Sequence, residues 1–509
     1  MMTAAIDITQ VNQWLNDVAP AAQLTIDSRC VQRGDVFLAC SGEGGDGRAY
    51  IPGAIEAGAS AVLFDATDDF HWNPEWQVAH CAVPGLTRLA ARIAHEWYGQ
   101  PDREMFSVAV TGTNGKTSCT QWLGQALSRE NLPTAVIGTL GAGLYRHGES
   151  SKFEPTGFTT PDAVQLFRHL SQQRRQGAKA LAIEASSIGL VQGRLDQLHV
   201  DVAVLTNFTR DHLDFHGDMT RYEAAKAMLF DWHGLQHAVI NLDDDMGVRR
   251  IAQVRSQPGV NVIGYTTAGA VAADVAVLSA TDIRISAQGT SFQLNSPFGS
   301  ALVRTQLIGH FNVSNVLAIA GVLFARGLSQ HSVIRQLEAL TAVPGRMQQL
   351  GGHDGPLAVI DYAHTPDALE KALNTLRQLA DARHGKLWCV FGCGGDRDPG
   401  KRSQMGAAAL SADHLVITSD NPRNEDPATI IAQILSGTGD LGADRLQVIE
   451  DRASAILSAI RHAGKQDVVL LAGKGHEDYQ EVKGRKLAFR DADHAALALA
   501  TRATRFGGH

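Results

Sequence analysis

The chain has 509 residues, 44% hydrophobic and 19% charged, a composition that argues against disordered and fibrous classes. Its 45 Lys and Arg against 53 Asp and Glu leave a formal net charge of -8, which argues against a broad nucleic-acid or anionic-membrane surface, so an anionic ligand must be held by local groups. A single core rarely organises more than about 250–300 residues, and the breaks in pattern point to three domains.

The first residues, MMTAAIDITQVNQWLND, lack a basic n-region and an apolar h-region. The best apolar run, Val316 to Ala325, is shorter than the roughly 20 residues a bilayer span needs. The expectation is a soluble cytoplasmic protein, without membrane insertion or nucleic-acid partner, and monomeric. Six scattered cysteines, Cys30, Cys40, Cys81, Cys119, Cys389 and Cys393, form no CxxC pair and read as reduced, mostly buried thiols.

In chain order, residues 1–100 alternate apolar strands (Val36 to Ala39, Ala61 to Phe64) with a helix over Thr87 to Tyr98, ending at the break Gly99-Gln100-Pro101-Asp102. Residues 101–343 predict a parallel sheet flanked by helices, with strands at Phe106 to Val110, Ala180 to Ile183, Val202 to Leu205 and Ala238 to Ile240. After a second break at Val343-Pro344-Gly345-Arg346, residues 344–509 predict a doubly wound α/β domain, with strands at Leu357 to Ile360, Leu387 to Phe391, His414 to Thr418 and Asp467 to Leu471.

Thr111-Gly112-Thr113-Asn114-Gly115-Lys116-Thr117 leads from the first strand of the middle domain into a helix beginning near Ser118. A phosphate loop needs this context: glycines admit backbone N–H groups to phosphate oxygens, Lys116 neutralises β/γ charge, and the Thr117 hydroxyl can ligate Mg²⁺. Val110 stands where the GxxxxGK[ST] pattern has its first glycine, and a plain Gly-rich turn is the bland alternative. Glu184 and His212 each follow a predicted strand, the end at which open α/β sheets bind ligands, and could join Thr117 on the metal. A helix cap or a structural histidine is the ordinary alternative for each. His212 and His216, at i and i+4, would suit zinc, but no HExxH glutamate accompanies them.

The ordered set TGTNGKT, EASSIGL, TNFTRDHLDFHGDM, YEAAK, GHFNVSN, VPGRM, DYAHTPDAL, GCGGDRD, DNPR and GKGHEDYQ resembles the Mur ligase family over nearly the whole chain. The resemblance implies a UDP-sugar-binding domain (1–100), a central P-loop parallel-sheet ATPase domain (101–343) and a C-terminal Rossmann-like domain (344–509) that binds the amino acid. It implies an ATP-consuming ligase that activates a D-glutamyl carboxylate as an acyl phosphate and joins it to an amine, here adding meso-diaminopimelate to a UDP-muramoyl dipeptide. Folylpolyglutamate-synthase-like and lysine-adding ligases are the neighbouring alternatives, and a non-catalytic nucleotide-gated binding protein is the alternative from another class.

By the resemblance, Gly112, Thr113, Asn114, Gly115, Lys116, Thr117, Asn312, Asn315, Arg346 and Asp361 bind ATP, with His364 close by in sequence. Thr117, Glu184, His212 and a carbamylated Lys226 hold Mg²⁺, and Lys116, His212 and Lys226 serve catalysis. Ser28, Glu43, Gly44, Gly45, Thr159, Thr160, Ser186, Gln192 and Arg194 bind the UDP-sugar substrate. Phe158 and Ile188 stand where Asn and His are commoner. Arg397, Asn421, Pro422, Arg423, Gly473 and Glu477 form the amino-acid pocket, with Glu477 receiving the distal ammonium. Bland readings are a helix N-cap for Asn312, a solvated helix lysine for Lys226, a surface loop for Arg397 and a β-turn for Asp420 to Arg423. A second carboxylate on diaminopimelate would pair with Arg423, and a buried Arg left unpaired by lysine would give specificity on the order of a thousandfold.

Overall fold

The computed structural model describes residues 7–506 except 43, 44, 68 and 287. Three sheets of four or more strands follow one another along the chain. Four parallel strands, ordered Leu24–Thr25, Val36–Ala39, Ala61–Asp65 and Ala79–Val83, form the first. The helix Leu86–Trp97 covers it with Leu86, Ala90, Ile93 and Ala94, whose three- and four-residue spacing makes one apolar stripe.

The second sheet has 11 strands, with the expected parallel centre around the phosphate loop and antiparallel strands added at both edges. Its centre is parallel, but Gly141–Arg146 and Glu149–Ser150 at one edge and Gly289–Ser296 and Gly299–Thr305 at the other run antiparallel. The physical reason is local: the two-residue connections Thr139-Leu140, His147-Gly148 and Pro297-Phe298 close tight hairpins, and such turns join only antiparallel neighbours. Strand Phe106–Thr111 sits between Ala180–Glu184 and Val202–Leu205, with Val110 opposite Glu184 and Thr111 opposite Leu205. Register therefore brings three strand ends, far apart in sequence, to one line. The helix His310–Ala325 is buried nearly all round, from Val313 to Phe324, so the longest apolar run is a core helix with no polar face.

The third sheet has six strands, ordered Gln348–Gly351, Leu357–Asp361, Val468–Ala472, Leu387–Phe391, His414–Ile417 and Leu446–Val448, parallel except for the first. Helices on both faces bury two separate clusters, as a doubly wound sheet requires. Behind it the buried pair Arg452–Asp491, at 2.7 Å, also holds the Ala472 carbonyl one residue before Gly473. Of the cysteines Cys119, Cys389 and Cys393 are buried, Cys40 and Cys81 are half-buried and Cys30 is exposed, which corrects the expectation of mostly buried thiols. Among the described residues no helix is long and apolar enough to cross a membrane.

Candidate active site

The loop after Phe106–Thr111 turns into the helix Lys116–Arg129, two residues earlier than expected. Gly112 and Gly115 hold φ of +141° and +88°, and at Gly115 a Cβ would meet Asn315 Oδ1 at 2.6 Å, so glycine is needed there for both conformation and space. The loop is pinned from the neighbouring strand end: the Asn114 amide donates to Asn207 Oδ1 at 2.9 Å, and Asn207 Nδ2 donates back to the Asn114 carbonyl at 3.0 Å. Thr113 Oγ1 donates to the Thr209 carbonyl at 3.0 Å and lies 3.2 Å from Tyr222 Oη.

A cavity of ≈ 450 Å³ opens over this loop, lined on one side by Thr113 to Ser118, Glu184 and His212 and on the other by Arg346, Asp361 and His364. Glu184 is buried at the end of its strand. Its carboxylate accepts from Thr117 Oγ1 at 3.1 Å, the Thr139 amide at 2.8 Å and Thr139 Oγ1 at 3.1 Å. Arg346 crosses from the C-terminal side, donating from Nη2 to Thr117 Oγ1 at 3.2 Å while stacking 4.5 Å above Tyr362. Lys116 Nζ curls back to the carbonyls of Gly112 and Thr113, at 2.8 Å each, and burial pushes its ammonium below the usual lysine range.

Asn312 and Asn315 line the cavity, and Asn312 donates to the Ile308 carbonyl at 2.8 Å from inside its helix, whose N-cap is Gly309, so Asn312 is not the cap. Asp361 Oδ2 accepts the Met347 amide at 2.8 Å, and burial raises its carboxyl above the usual range. His364 Nδ1 lies 2.9 Å from the Tyr362 carbonyl, which leaves Nε2 for the cavity.

Lys226 is 1% exposed, which rules out a solvated helix lysine. Nζ donates to the Gly112 carbonyl at 2.8 Å and lies 4.4 Å over the Tyr222 ring. Burial first, then the Lys116 charge, hold this amine well below the usual lysine range. It packs beneath the phosphate loop and is not among the cavity-lining side chains, so the structure does not bring the free amine to Thr117 and Glu184. His212 adopts the left-handed conformation at φ +51° before a short helix, with Nε2 3.5 Å from Asp211 Oδ2, and burial lowers its pKa.

Thr117 and Glu184 offer hard oxygens side by side, the donor type Mg²⁺ takes, and the fit is therefore good on that face of the cavity. The zinc alternative has no such support: His216 Nε2 is 2.9 Å from Ser187 Oγ, and no group of three His, Cys, Asp or Glu that could hold a metal occurs among the described residues.

On the far side of Glu184, Thr139 Oγ1 lies 3.2 Å from Thr159 Oγ1. Thr160 is wholly buried; its hydroxyl donates to the Glu184 carbonyl at 2.7 Å, accepts the Ser186 amide at 3.0 Å and sits 2.9 Å from Ser186 Oγ. Arg194 Nη1 donates to the Thr160 carbonyl at 2.7 Å, Nη2 donates to Gln192 Oε1 at 2.7 Å, and its guanidinium lies 4.5 Å above the exposed Phe158 ring. The structure thus brings Thr159, Thr160, Ser186, Gln192 and Arg194 together. Ser28 and Gly45 belong to the first domain and do not line the cavity. Glu43 and Gly44 lie outside the described residues. Thr160→Val should lower stability by about 1–2 kcal/mol in urea unfolding, since it strands a buried amide and a buried carbonyl.

The predicted amino-acid pocket lies at the C-terminal ends of the third sheet. Asn421 Nδ2 donates to Glu477 Oε2 at 2.8 Å, and Asn421 Oδ1 accepts Lys474 Nζ at 3.0 Å and the Glu481 amide at 2.9 Å. Gly473 holds φ +109°, and its amide donates to the Asp361 carbonyl at 3.1 Å, which ties this pocket to the cavity wall. Pro422 is buried, and its carbonyl accepts the Glu425 amide at 3.0 Å, so a turn follows Pro422 with the proline at its first position. Arg397 is exposed in the adjoining loop.

Two findings correct the sequence reading. Glu477 already holds a cation, the fully buried Lys474 Nζ at 2.9 Å. Arg423 is not an unpaired buried cation: Nε is 3.3 Å from Glu481 Oε2 and Nη1 donates to the Gly395 carbonyl at 2.6 Å, so the thousandfold specificity argued from an orphaned guanidinium is too large. Sequence reasoning also missed Thr139, Asn207, Lys474 and Glu481. Asn207 and Lys474 lay within the quoted motifs TNFTRDHLDFHGDM and GKGHEDYQ without being assigned a role; Thr139 and Glu481 became neighbours of the site through long-range folding.

Residues 21–98, 110–323 and 345–475 match, respectively, the families described as Mur ligase family, catalytic domain; Mur ligase middle domain; and Mur ligase, glutamate ligase domain. The UDP-N-acetylmuramoyl-L-alanyl-D-glutamate--2,6-diaminopimelate ligase of Janthinobacterium sp. (strain Marseille) is 61% identical over 97% of this chain and 97% of its own. The protein of the same name from Ralstonia nicotianae is 49% identical over 98% of this chain and 97% of its own. A solved structure of a ligase of that name superposes with a TM-score of 0.65 at 34% identity, covering 96% of this chain and 99% of the other. With three sheets in this order, a phosphate loop at the middle of the second and relatives alike from end to end, the chain belongs to the Mur ligase family.

Proposed function

We propose that the chain is the ATP-dependent ligase that adds meso-2,6-diaminopimelate to UDP-N-acetylmuramoyl-L-alanyl-D-glutamate, as the names of its relatives suggest. One observation carries the reading: the hydrogen-bonded series Thr117, Glu184, Thr139, Thr159 runs unbroken from the phosphate loop to the side proposed for the muramoyl dipeptide. A γ-phosphate at Thr117 and a carboxylate near Thr159 would meet across Glu184.

In the proposed reaction the D-glutamyl carboxylate oxygen attacks the γ-phosphorus, and the bond to the departing ADP oxygen breaks. The amine then attacks the acyl carbon and loses a proton to water, and the carbon–oxygen bond to phosphate breaks to leave an amide. The first step requires two anions to approach, and Lys116 and Arg346 supply the positive charge that offsets their repulsion. Mg²⁺, held by Thr117, Glu184, His212 and a Lys226 carbamate, would add further charge neutralisation when bound. Asn312 and Asn315 would face adenine, and Asp361 would accept from ribose hydroxyls. Thr160, Ser186, Gln192, Arg194 and, from the first domain, Ser28 and Gly45 would hold the UDP-sugar substrate. Arg397, Asn421, Pro422, Arg423, Gly473 and Glu477 would hold diaminopimelate. The domain limits that go with this division of labour are residues 100 and 343.

The test is phosphate release by the purified protein with ATP, Mg²⁺ and the UDP-muramoyl dipeptide, comparing meso-diaminopimelate, L-lysine and no amino acid. Release only with diaminopimelate is the expected result. Release with lysine at equal efficiency would overturn the amino-acid assignment, and none with either would overturn the substrate pair.

A further inference from the structure

The strand Tyr479–Val482, paired with Arg485–Ala488 in a two-stranded ribbon, lies against the proposed amino-acid pocket, where the Glu481 amide donates to Asn421 Oδ1. It is latched to the Asp420–Arg423 segment at several points. Gln480 Nε2 donates to the Asp420 carbonyl at 2.7 Å, the Arg423 amide donates to the Glu481 carbonyl at 3.0 Å, and the Lys483 amide donates to the Arg423 carbonyl at 2.7 Å. Arg423 itself sits at φ +51°, a conformation a non-glycine residue keeps only when its surroundings impose it, and here the latch imposes it.

The guanidinium is therefore fixed at its root but not saturated at its tip. Nη1 donates to Gly395, Nε is 3.3 Å from Glu481 Oε2 without forming a hydrogen bond, and Nη2 has no hydrogen-bond partner among the described residues. The carboxylate beside it is half-buried, with 25% of its side chain accessible against 21% for Arg423. Glu477 and Lys474 form a second, separate pair in the same pocket. The pocket thus carries one fixed pair, Lys474–Glu477, and one loose pair, Arg423–Glu481.

We infer that Glu481 is a specificity-setting positioning residue: it is the internal counter-ion of Arg423, and because Gly395 holds Nη1, an incoming distal carboxylate held bidentately takes the free Nη2 together with Nε and must displace Glu481 from that edge. Two carboxylates cannot share that edge without repelling one another. A substrate with the distal carboxylate exchanges one ion pair for another, so its net gain is smaller than an unopposed Arg423 would give. A substrate without it leaves the Arg423–Glu481 pair intact, so no buried charge is orphaned. Glu481 therefore narrows the preference for a dicarboxylate that Arg423 alone would give.

This inference rests on the substrate reading above, and Glu481→Gln tests it, because the amide keeps the side-chain size and leaves the backbone latch in place. The KM for meso-diaminopimelate should fall about fivefold, the scale of one partly exposed charge pair. The KM for ATP should not follow it, and the KM for L-lysine should stay the same or rise; a structural disturbance would move all three together. Glu481→Asp, which keeps the charge on a shorter arm, should return the diaminopimelate KM toward that of the unaltered protein. An unchanged or higher diaminopimelate KM in Glu481→Gln overturns the inference while the substrate reading stands. No turnover of diaminopimelate by the unaltered protein overturns both.

Discussion

Replacing Lys226 with Ala is expected to cut kcat by about a thousandfold, with turnover partly restored by millimolar short carboxylic acids. The size is that of losing one electrostatic stabiliser of phosphoryl transfer, about 4 kcal/mol. The argument starts from burial. An ammonium at a site 1% exposed, with one carbonyl and one aromatic face for company and Lys116 nearby, is costly, and the environment favours the neutral amine. A neutral amine has the free electron pair that adds to the carbon of CO₂, losing a proton and leaving a carbamate. Such a carbamate would replace the neutral amine by an anion with two hard oxygens and would lengthen the side chain that now ends at the Gly112 carbonyl. Intact mass under bicarbonate and phosphate release in its absence check the modification, and activity with added acetate or formate checks its role. Full activity of the Ala variant without additives would show that Lys226 only packs under the loop.

The second large effect is expected from Arg423→Ala: kcat/KM for diaminopimelate should fall about a hundredfold, or about 2–3 kcal/mol, while the KM for ATP stays within about twofold. The loss is set by one charge-assisted contact to the distal carboxylate. It stays below a thousandfold because, in the unaltered protein, the substrate carboxylate must first displace Glu481 from the guanidinium. Steady-state phosphate release over a range of diaminopimelate concentrations measures it. An unchanged diaminopimelate KM in the Ala variant would move the carboxylate contact elsewhere in the pocket, to Arg397 first.

Short-range pattern carried much of the architecture. The runs at Val202 to Leu205 and Leu387 to Phe391 form strands over those same residues, because unbroken apolar segments bounded by turn residues fit a sheet covered on both faces. The phosphate loop was legible for the same reason: strand, glycines, Lys and Thr are consecutive, so their chemistry is set by spacing alone. The antiparallel edges of the second sheet were not read, since strand pairing depends on where hairpins close rather than on apolar content.

By itself, then, the order of residues determined the α/β class, the phosphate loop, and which chemical groups stand at the ends of which strands. Only the tertiary structure decided which of those groups meet. It aligned Glu184 with Val110, so that the carboxylate reaches Thr117 and Thr139. It set Arg346 on the loop from another domain, put Lys474 under Asn421 and Glu477, and gave Arg423 a counter-ion in Glu481. The physical reason is range: spacing along a chain constrains neighbours within a few residues, while a hydrogen bond or ion pair acts over about 3–4 Å and so depends on register and packing between segments far apart in sequence.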